Sequence, residues 1–256
     1  MAHSWHAVTF AADERRSEVE RGTQEALDRL DALVLVSRHC EAEGAALGLV
    51  YPRRTATILY PLQPAFAAPL DVGGPRAGVT FVGSLMGRKN PARLVEATAH
   101  LPRDVEVRFF GAGPEEAALR ELAGEHGVAG RVAFHTQQND ADHLDRLRKV
   151  LAASEVMCLP SMSESFGLVF IEALACGTPI VGFGPTVREI EDAMGIPIGA
   201  AVDSPEPETL AAAIEQLRAT RWDPGLLRRV TLETFSVPSV AEQYAELCRA
   251  AAQAPR

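Results

Sequence analysis

The sequence lacks the features that mark membrane, secreted and disulfide-rich proteins. No apolar stretch approaches the roughly 18 residues that a membrane-spanning helix needs, and the opening residues MAHSWHAVTFAADERR have no apolar core like that of a signal peptide. Cysteine is scarce: Cys40, Cys158, Cys176 and Cys248 are scattered, with no close CxxC pair, which is typical of reduced and mostly buried thiols. We therefore expect a cytoplasmic protein without a transmembrane segment.

Positive charge is also in short supply. The chain carries 25 basic and 34 acidic residues, a formal net charge of -9, whereas sequence-independent binding of nucleic acid needs a basic surface. We expect no nucleic-acid partner, although a local basic pocket for a small anion is compatible with this balance. The sequence also lacks a GxSxG motif and a phosphate loop ending in GKS or GKT, and it shows no internal repeat.

Short apolar runs alternate with helical patterns along most of the chain. Continuous apolar strands between helices are typical of a parallel sheet that helices cover on both faces, so the pattern predicts an α/β, doubly wound domain over residues 78–220. Its strands are predicted at 78–83, 105–111, 131–135, 155–160 and 178–183, and its helices at 90–101, 114–127, 140–154, 166–177, 186–194 and 206–219. Outside it, the pattern predicts strands at 32–37 and 56–61, a helix after Ser37, a proline-rich linker at 61–77 and a closing helix at 236–253.

Three loops follow strands of this sheet and lead into helices. They are GSLMGRKNP (83–91), FGAGP (110–114) and SMSESFG (161–167). In open α/β sheets, ligands bind outside the carboxyl ends of the strands, and helix N-termini favour anions because their first N–H groups are unpaired. A phosphate-bearing ligand therefore fits these loops better than a neutral one.

Two glutamates, Glu164 and Glu172, flank the start of the helix predicted after the third loop. A helical side chain leans back toward the N-terminus, so the carboxylate of Glu172 can face the helix opening and accept hydrogen bonds from the vicinal hydroxyls of a ribose. Glu164 can take the hydroxyls of a second polyol. The pair predicts a sugar nucleotide whose phosphates lie on the amides of Phe166, Gly167 and Leu168; the alternative is that both carboxylates are exposed and merely solvated.

The segment PSMSESFGLVFIEALACGTPIV (160–181) resembles the E-x7-E segment of the retaining glycosyltransferases of family four, which have the GT-B architecture. Further segments resemble the family in its own order: FVGSLMGRKNPARLVEA, VRFFGAGPEEAALRELA, RVAFH and LRKVLAASEVMCLPS. LDALVLVSRHCEAEGAALG and ATILYP resemble the end of the family's N-terminal domain, and FSVPSVAEQYAEL resembles its closing helix. The resemblance implies the Rossmann-like C-terminal half of a GT-B fold, with an N-terminal α/β remnant and linker at 1–75, a donor-binding domain at 76–235 and a closing helix at 236–256.

The resemblance also implies roles for individual residues. Glu164 is expected to contact the donor sugar, Glu172 the ribose and Lys89 the diphosphate. His3 is the better match, and His6 the second choice, for a histidine that the family holds against the donor sugar. Catalytic roles are thus implied for His3, Lys89 and Glu164, and donor-binding roles for Gly83, Ser84, Arg88, Lys89, Gly111, Gly113, Glu164, Phe166, Gly167, Leu168 and Glu172.

The function implied is transfer of a sugar, with retention of configuration, from a nucleoside-diphosphate sugar of UDP or GDP type. The acceptor is expected to be a small molecule, a lipid or a glycan, and no metal or other cofactor is expected. The sequence DAD at 140–142 mimics the DxD of metal-dependent glycosyltransferases, but aspartate is a common cap where a helix begins. The alternatives are a non-catalytic sugar-nucleotide-binding subunit and a GT-B epimerase or phosphorylase.

Among the departures of the chain from the family, two concern the donor site and the acceptor-binding domain. Ser84 stands where the family usually has an arginine after the glycine of the first loop, so either Arg88 substitutes or one phosphate contact is lost. Family members also begin with a complete acceptor-binding domain, which would need on the order of 100 further residues. We therefore expect a truncated chain, one piece of a split enzyme or a naturally shortened protein, which pairs with a missing N-terminal domain, a partner chain or itself.

Overall fold

The computed structural model describes residues 21–70, 75–135 and 142–253. These residues form two compact units. One unit contains the chain up to Pro61 together with the chain from Phe235 onward, and the other is Leu62–Thr234. The first boundary lies at the start of the predicted linker, and the division at 75/76 and 235/236 stays a prediction.

In its described residues, the smaller unit contains a short parallel pair of strands and three helices. Helix α1 covers residues 21–27 of the described chain, and it is followed by β1 (Leu33–Leu35), α2 (Arg38–Ala46), β2 (Thr55–Thr57) and, after the larger unit, α10 (Val237–Ala252). Leu33 lies opposite Thr55 and Leu35 opposite Thr57. Both strands are shorter than predicted. Helix α2 begins where expected, after Ser37, because the Ser37 side chain accepts a hydrogen bond from the N–H of Cys40 at 3.1 Å.

The larger unit is built on a six-stranded parallel sheet whose order is β5-β4-β3-β6-β7-β8. Its strands are β3 (Val79–Val82), β4 (Val107–Phe110), β5 (Val132–His135), β6 (Val156–Leu159), β7 (Ile180–Phe183) and β8 (Gly199–Val202). Its helices are α3 (Pro91–Thr98), α4 (Glu116–Glu125), α5 (His143–Ala152), α6 (Leu168–Ala175), α7 (Gly184–Met194), α8 (Pro207–Ala219) and α9 (Pro224–Thr234). This arrangement confirms the predicted doubly wound α/β fold.

The central strands of this sheet are buried along their whole length because helices cover them on both faces. Every residue of β3 and of β6 is buried, as expected for strands in the middle of a parallel sheet. On one side of β3, the ring of Phe109 lies 5.2 Å from that of Phe81 and 5.0 Å from that of Phe134, measured between ring centroids. The aromatic row links β3, β4 and β5 into one core layer.

Two elements of the larger unit were not predicted. Strand β8 has the sequence GAAV, which lacks the run of large apolar residues that marks a buried strand, and it lies at the edge of the sheet. Helix α9 begins at a proline followed by a glycine, and it buries Leu227 and Thr231, which lie one turn apart. Within the described ranges, no helix combines the length and the apolar character needed to cross a membrane.

Candidate functional site

The strand order creates a crevice at one point of the sheet. From β3 the chain proceeds through β4 to β5 on one side, and from β6 through β7 to β8 on the other. Because β3 and β6 are neighbours, the loops that leave their carboxyl ends lie side by side while the helices that follow them diverge. A switch of this kind is where open α/β sheets bind ligands.

Lys89 and Glu164 meet at this crevice although 75 positions separate them in the chain. Lys89 ends a short 3-10 turn (Gly87–Lys89) in the loop after β3, and its Nζ donates to Oε1 of Glu164 at 2.6 Å. The Ser161 hydroxyl donates to the same Oε1 at 2.5 Å. The side chain of Glu164 is 5% exposed and that of Lys89 16%, so the alternative of a solvated loop carboxylate is wrong for Glu164.

Helix α6 opens onto the same crevice, two residues later than predicted. Gly167 occupies the N-cap position with φ 71° and has no side chain to cap the first turn. The N–H of Phe170 donates to the carbonyl of Gly167 at 2.8 Å. Among the described residues, the N–H groups of Leu168 and Val169 meet no acceptor, which leaves these two available for an anionic ligand. Leu168, the first helical residue, is 40% exposed at this opening, whereas Phe166 is buried.

Glu172 lies in the second turn of α6 and is also buried, with 8% of its surface exposed. Burial raises the pKa of its carboxyl to about 7. Within the described part of the chain, no hydrogen bond or ion pair reaches this carboxylate. The alternative of an exposed helix residue is therefore wrong, and a buried carboxylate without a donor is suited to a ligand that brings hydroxyl groups.

Gly167 is required by the way α6 packs. Its positive φ is unfavourable for other residues, and a Cβ there would lie 2.6 Å from the ring of Phe170. That ring is fully buried and also packs against Gly182 of β7. The aromatic side chain thus fixes the N-terminal end of α6 against the neighbouring strand, and this holds the helix opening in place.

The loops after β3 and β4 are in direct backbone contact. A Cβ at Gly111 would overlap the carbonyl oxygen of Gly83, and a Cβ at Gly113 would overlap that of Leu85. The N–H of Leu85 donates to the carbonyl of Ala112 at 3.0 Å. The two glycines therefore have a structural role in joining these loops, besides the predicted role of keeping side chains out of a pocket.

Two groups of predicted site residues remain, and the structure adds one residue that the sequence did not predict. Ser84 and Arg88 are exposed in the loop after β3, and no hydrogen bond or ion pair joins Arg88 to another described residue. His3 and His6 lie outside the described residues. Ser161 was not predicted. The sequence feature that could have indicated it is a hydroxyl side chain three positions before Glu164 in the same loop.

Among the residues that the structure describes, no group of three or more histidine, cysteine, aspartate or glutamate side chains is arranged to hold a metal ion. Of the DAD sequence, Asp142 lies at the N-cap position of α5, and Asp140 lies outside the described ranges. The expectation of a metal-independent site stays a prediction.

Comparison with known proteins adds to this picture. The family described as "Glycosyl transferases group 1" matches residues 68–224. A D-inositol 3-phosphate glycosyltransferase of Rhodococcus jostii is 36% identical over 245 residues, which cover 89% of this chain and 50% of that protein. An enzyme with the same name from Mycolicibacterium gilvum is 34% identical over 235 residues, covering 84% of this chain and 51% of that one.

The fold also has counterparts among solved structures. The crystal structure of Anabaena Alr3699/HepE in complex with UDP superposes with a TM-score of 0.78 over 97% of this chain and 72% of that one, at 18% identity. At this identity the likeness concerns the fold alone. The chain spans about half the length of the curated relatives it matches.

Proposed function

The chain belongs to the group 1 glycosyl transferases, as its resemblance implied, and on that basis we propose that it binds a nucleoside-diphosphate sugar at the carboxyl edge of β3 and β6. The observation that carries this proposal is the contact of Lys89 with Glu164 in the loops beside the start of α6, together with the burial of Glu172 in the second turn of that helix. One cation and one helix end suit a diphosphate. Two buried carboxylates, one in the loop before α6 and one within the helix, suit the hydroxyls of a sugar and of a ribose.

The chemistry we propose is transfer of the sugar with retention of configuration. As the bond to the diphosphate breaks, positive charge develops on the sugar ring and negative charge on the departing phosphate. Lys89 and the first-turn amides of α6 would stabilise the departing charge, because fixed donors in a buried site act without reorganisation. Attack from the same face, with a donor phosphate oxygen taking the acceptor proton, needs no nucleophile from the protein.

A ligand screen tests the donor class. UDP is the first probe, because the Anabaena protein is seen with UDP and, in another crystal, with UDP and glucose. We expect UDP- or GDP-sugars to raise the melting temperature more than ADP- or dTDP-sugars do, since a ligand that binds the folded state stabilises it by mass action. No shift with any of the four classes, at concentrations up to several millimolar, would contradict the proposal.

Two substitutions test the placement of the donor. Glu172→Ala should weaken binding of the nucleoside diphosphate itself by about tenfold or more, since a hydrogen bond to a charged group contributes roughly 1.5–3 kcal/mol. Glu164→Ala should weaken binding of the sugar nucleotide more than that of the nucleotide. Glu121→Ala, an exposed glutamate on α4, is the control, and calorimetry that finds all three variants alike would remove both carboxylates from the site.

Sugar transfer itself is tested with an acceptor. D-inositol 3-phosphate is the first acceptor to assay, because two of the relatives carry its name; lipid and glycan acceptors follow. We expect activity to be unchanged by EDTA, because the charge of the diphosphate is met by Lys89 and the helix end. Loss of activity on chelation, restored by a divalent cation, would contradict the metal-independent mechanism.

A second candidate function is the sugar-nucleotide-binding subunit that the sequence analysis left open. A donor-binding subunit that completes its active site with another chain would bind the sugar nucleotide but show no turnover alone. Turnover on addition of a chain that supplies the acceptor-binding half would favour a split enzyme. A stable, donor-loaded complex without turnover would favour a non-catalytic partner, and change of the donor sugar without an acceptor would indicate an epimerase.

A further inference from the structure

The carboxylate of Glu164 is held in an asymmetric way. Both of its donors, Nζ of Lys89 and Oγ of Ser161, bind the same oxygen, Oε1. Within the described ranges, Oε2 accepts no hydrogen bond from the protein. One oxygen is thus fixed by the protein while the other stays available to a ligand hydroxyl.

A bound sugar nucleotide would affect the two donors, Lys89 and Ser161, differently. Lys89 is a cation in the loop after β3, and the diphosphate of a bound donor would compete with Glu164 for it. Ser161 is neutral and 3% exposed, and it belongs to the same short loop as Glu164. When Lys89 turns toward the diphosphate, the Ser161 hydroxyl is the protein donor that remains on Oε1 among the described residues.

A buried carboxylate that loses its cation is costly unless other donors replace it. In an intact sugar nucleotide, the sugar hydroxyls can supply those donors at Oε2. A nucleoside diphosphate without its sugar supplies none, and it adds negative charge nearby. The site is therefore built to favour the intact donor over the product, provided that Glu164 keeps its orientation.

We propose that Ser161 is a positioning residue that keeps Glu164 directed at the donor sugar while the diphosphate engages Lys89, so that the site distinguishes a nucleoside-diphosphate sugar from the free nucleoside diphosphate. This inference rests on the function proposed above. It concerns the ratio of two affinities, whereas a hydroxyl that merely stabilised the loop would change both affinities together.

Calorimetry with UDP and UDP-glucose measures this ratio in the 256-residue chain. If the ligand screen selects another nucleotide, its diphosphate and its sugar form replace them. Ser161→Ala is expected to lower the preference for the sugar form by about tenfold, as expected for a hydrogen bond to a charged group, and to leave the affinity for the diphosphate within about twofold. Ser161→Thr keeps the hydroxyl and should restore most of the preference. In a Glu164→Gln background, Ser161→Ala should change the ratio by less than about twofold, because the interacting carboxylate is gone.

The outcomes separate the inference from the proposed function. If the wild-type chain binds none of the donors, the proposed function is wrong, and this inference fails with it. If the wild type binds them but Ser161→Ala leaves the ratio unchanged, or lowers both affinities equally, the positioning role alone is overturned. Should Ser161→Ala fail to fold, Ser161→Cys, which is close in size and is a weaker donor, gives the same readout.

Discussion

A single ionisable side chain, Glu172, should make the stability of this protein depend on pH. Burial raises the pKa of its carboxyl to about 7 from an ordinary value of 4.5. Between these two values the folded chain holds a proton that the unfolded chain has released. The free energy of unfolding contributed by this group is therefore highest below pH 4.5 and is lost as the pH rises to about 7.

Glu172→Gln removes this titration with little change of shape. The difference of about 2.5 pKa units corresponds to roughly 3 kcal/mol. We expect the variant to gain that much stability relative to the wild type between pH 5 and pH 8, as measured by urea unfolding at several pH values. Glu121→Gln, on an exposed part of α4, is the control and should show no such trend. If the difference in unfolding free energy between the wild type and Glu172→Gln does not change with pH, the raised pKa is contradicted.

Backbone conformation makes a second prediction at the same scale. Gly167→Ala places a Cβ at φ 71° and against the ring of Phe170, so we expect a loss of roughly 1–3 kcal/mol of unfolding free energy. Gly124→Ala is the matched control, since its Cβ would meet nothing within 4 Å and it lies inside α4. That substitution should stabilise the protein by about 0.5–1 kcal/mol, and equal effects of the two changes would contradict the packing described for Gly167.

At the scale of elements, one arginine connects α9 to the segment that begins the larger unit. Arg228 donates to the carbonyls of Phe66 at 2.9 Å, Ala67 at 3.0 Å and Ala68 at 2.9 Å, and also to that of Ala175 at the end of α6. A guanidinium offers several donors in a fixed plane, which suits adjacent carbonyls. The short 3-10 helix Pro64–Ala67 is thus held to the unit by side-chain contacts.

Arg228→Lys should release this segment while leaving the sheet intact. A lysine keeps the charge but cannot serve the same set of carbonyls, so we expect a loss of about 1–3 kcal/mol. Amide hydrogen exchange should increase at Phe66 and Ala68, whose N–H groups bond within the turn. The control is Arg229→Lys, because Arg229 is exposed on the same helix and its exposed ion pair is expected to contribute little.

The elements of the larger unit were largely predictable because each strand and helix carries its own pattern. Strand β8 and helix α9 were not predicted. The small residues of β8 and the proline–glycine start of α9 give no clear periodicity. For the site, Glu164 was singled out by its position before the predicted helix, and Lys89 was identified through the resemblance. Their contact follows from the adjacency of β3 and β6. Ser161 and the burial of Glu172 depend on loop packing that residue spacing does not encode.

For the whole molecule, the division into two units predicts where binding resides. Ser84, Lys89, Glu164 and Glu172 all lie within Leu62–Thr234. A fragment of these residues should fold cooperatively and bind UDP within about threefold of the full chain, because its six-stranded sheet has a core of its own. Circular dichroism and calorimetry measure both properties. A folded fragment that binds tenfold more weakly would show that residues outside it contribute to the site.

The strand order has a consequence for how this protein matures. Lys89 follows the strand that starts one half of the sheet, and Glu164 follows the strand that starts the other. Contacts between such distant stretches form late and slowly during folding. If the chain binds a sugar nucleotide as proposed, partly folded chains would lack that affinity, and the ligand would stabilise the finished molecule alone and draw the last folding step toward completion.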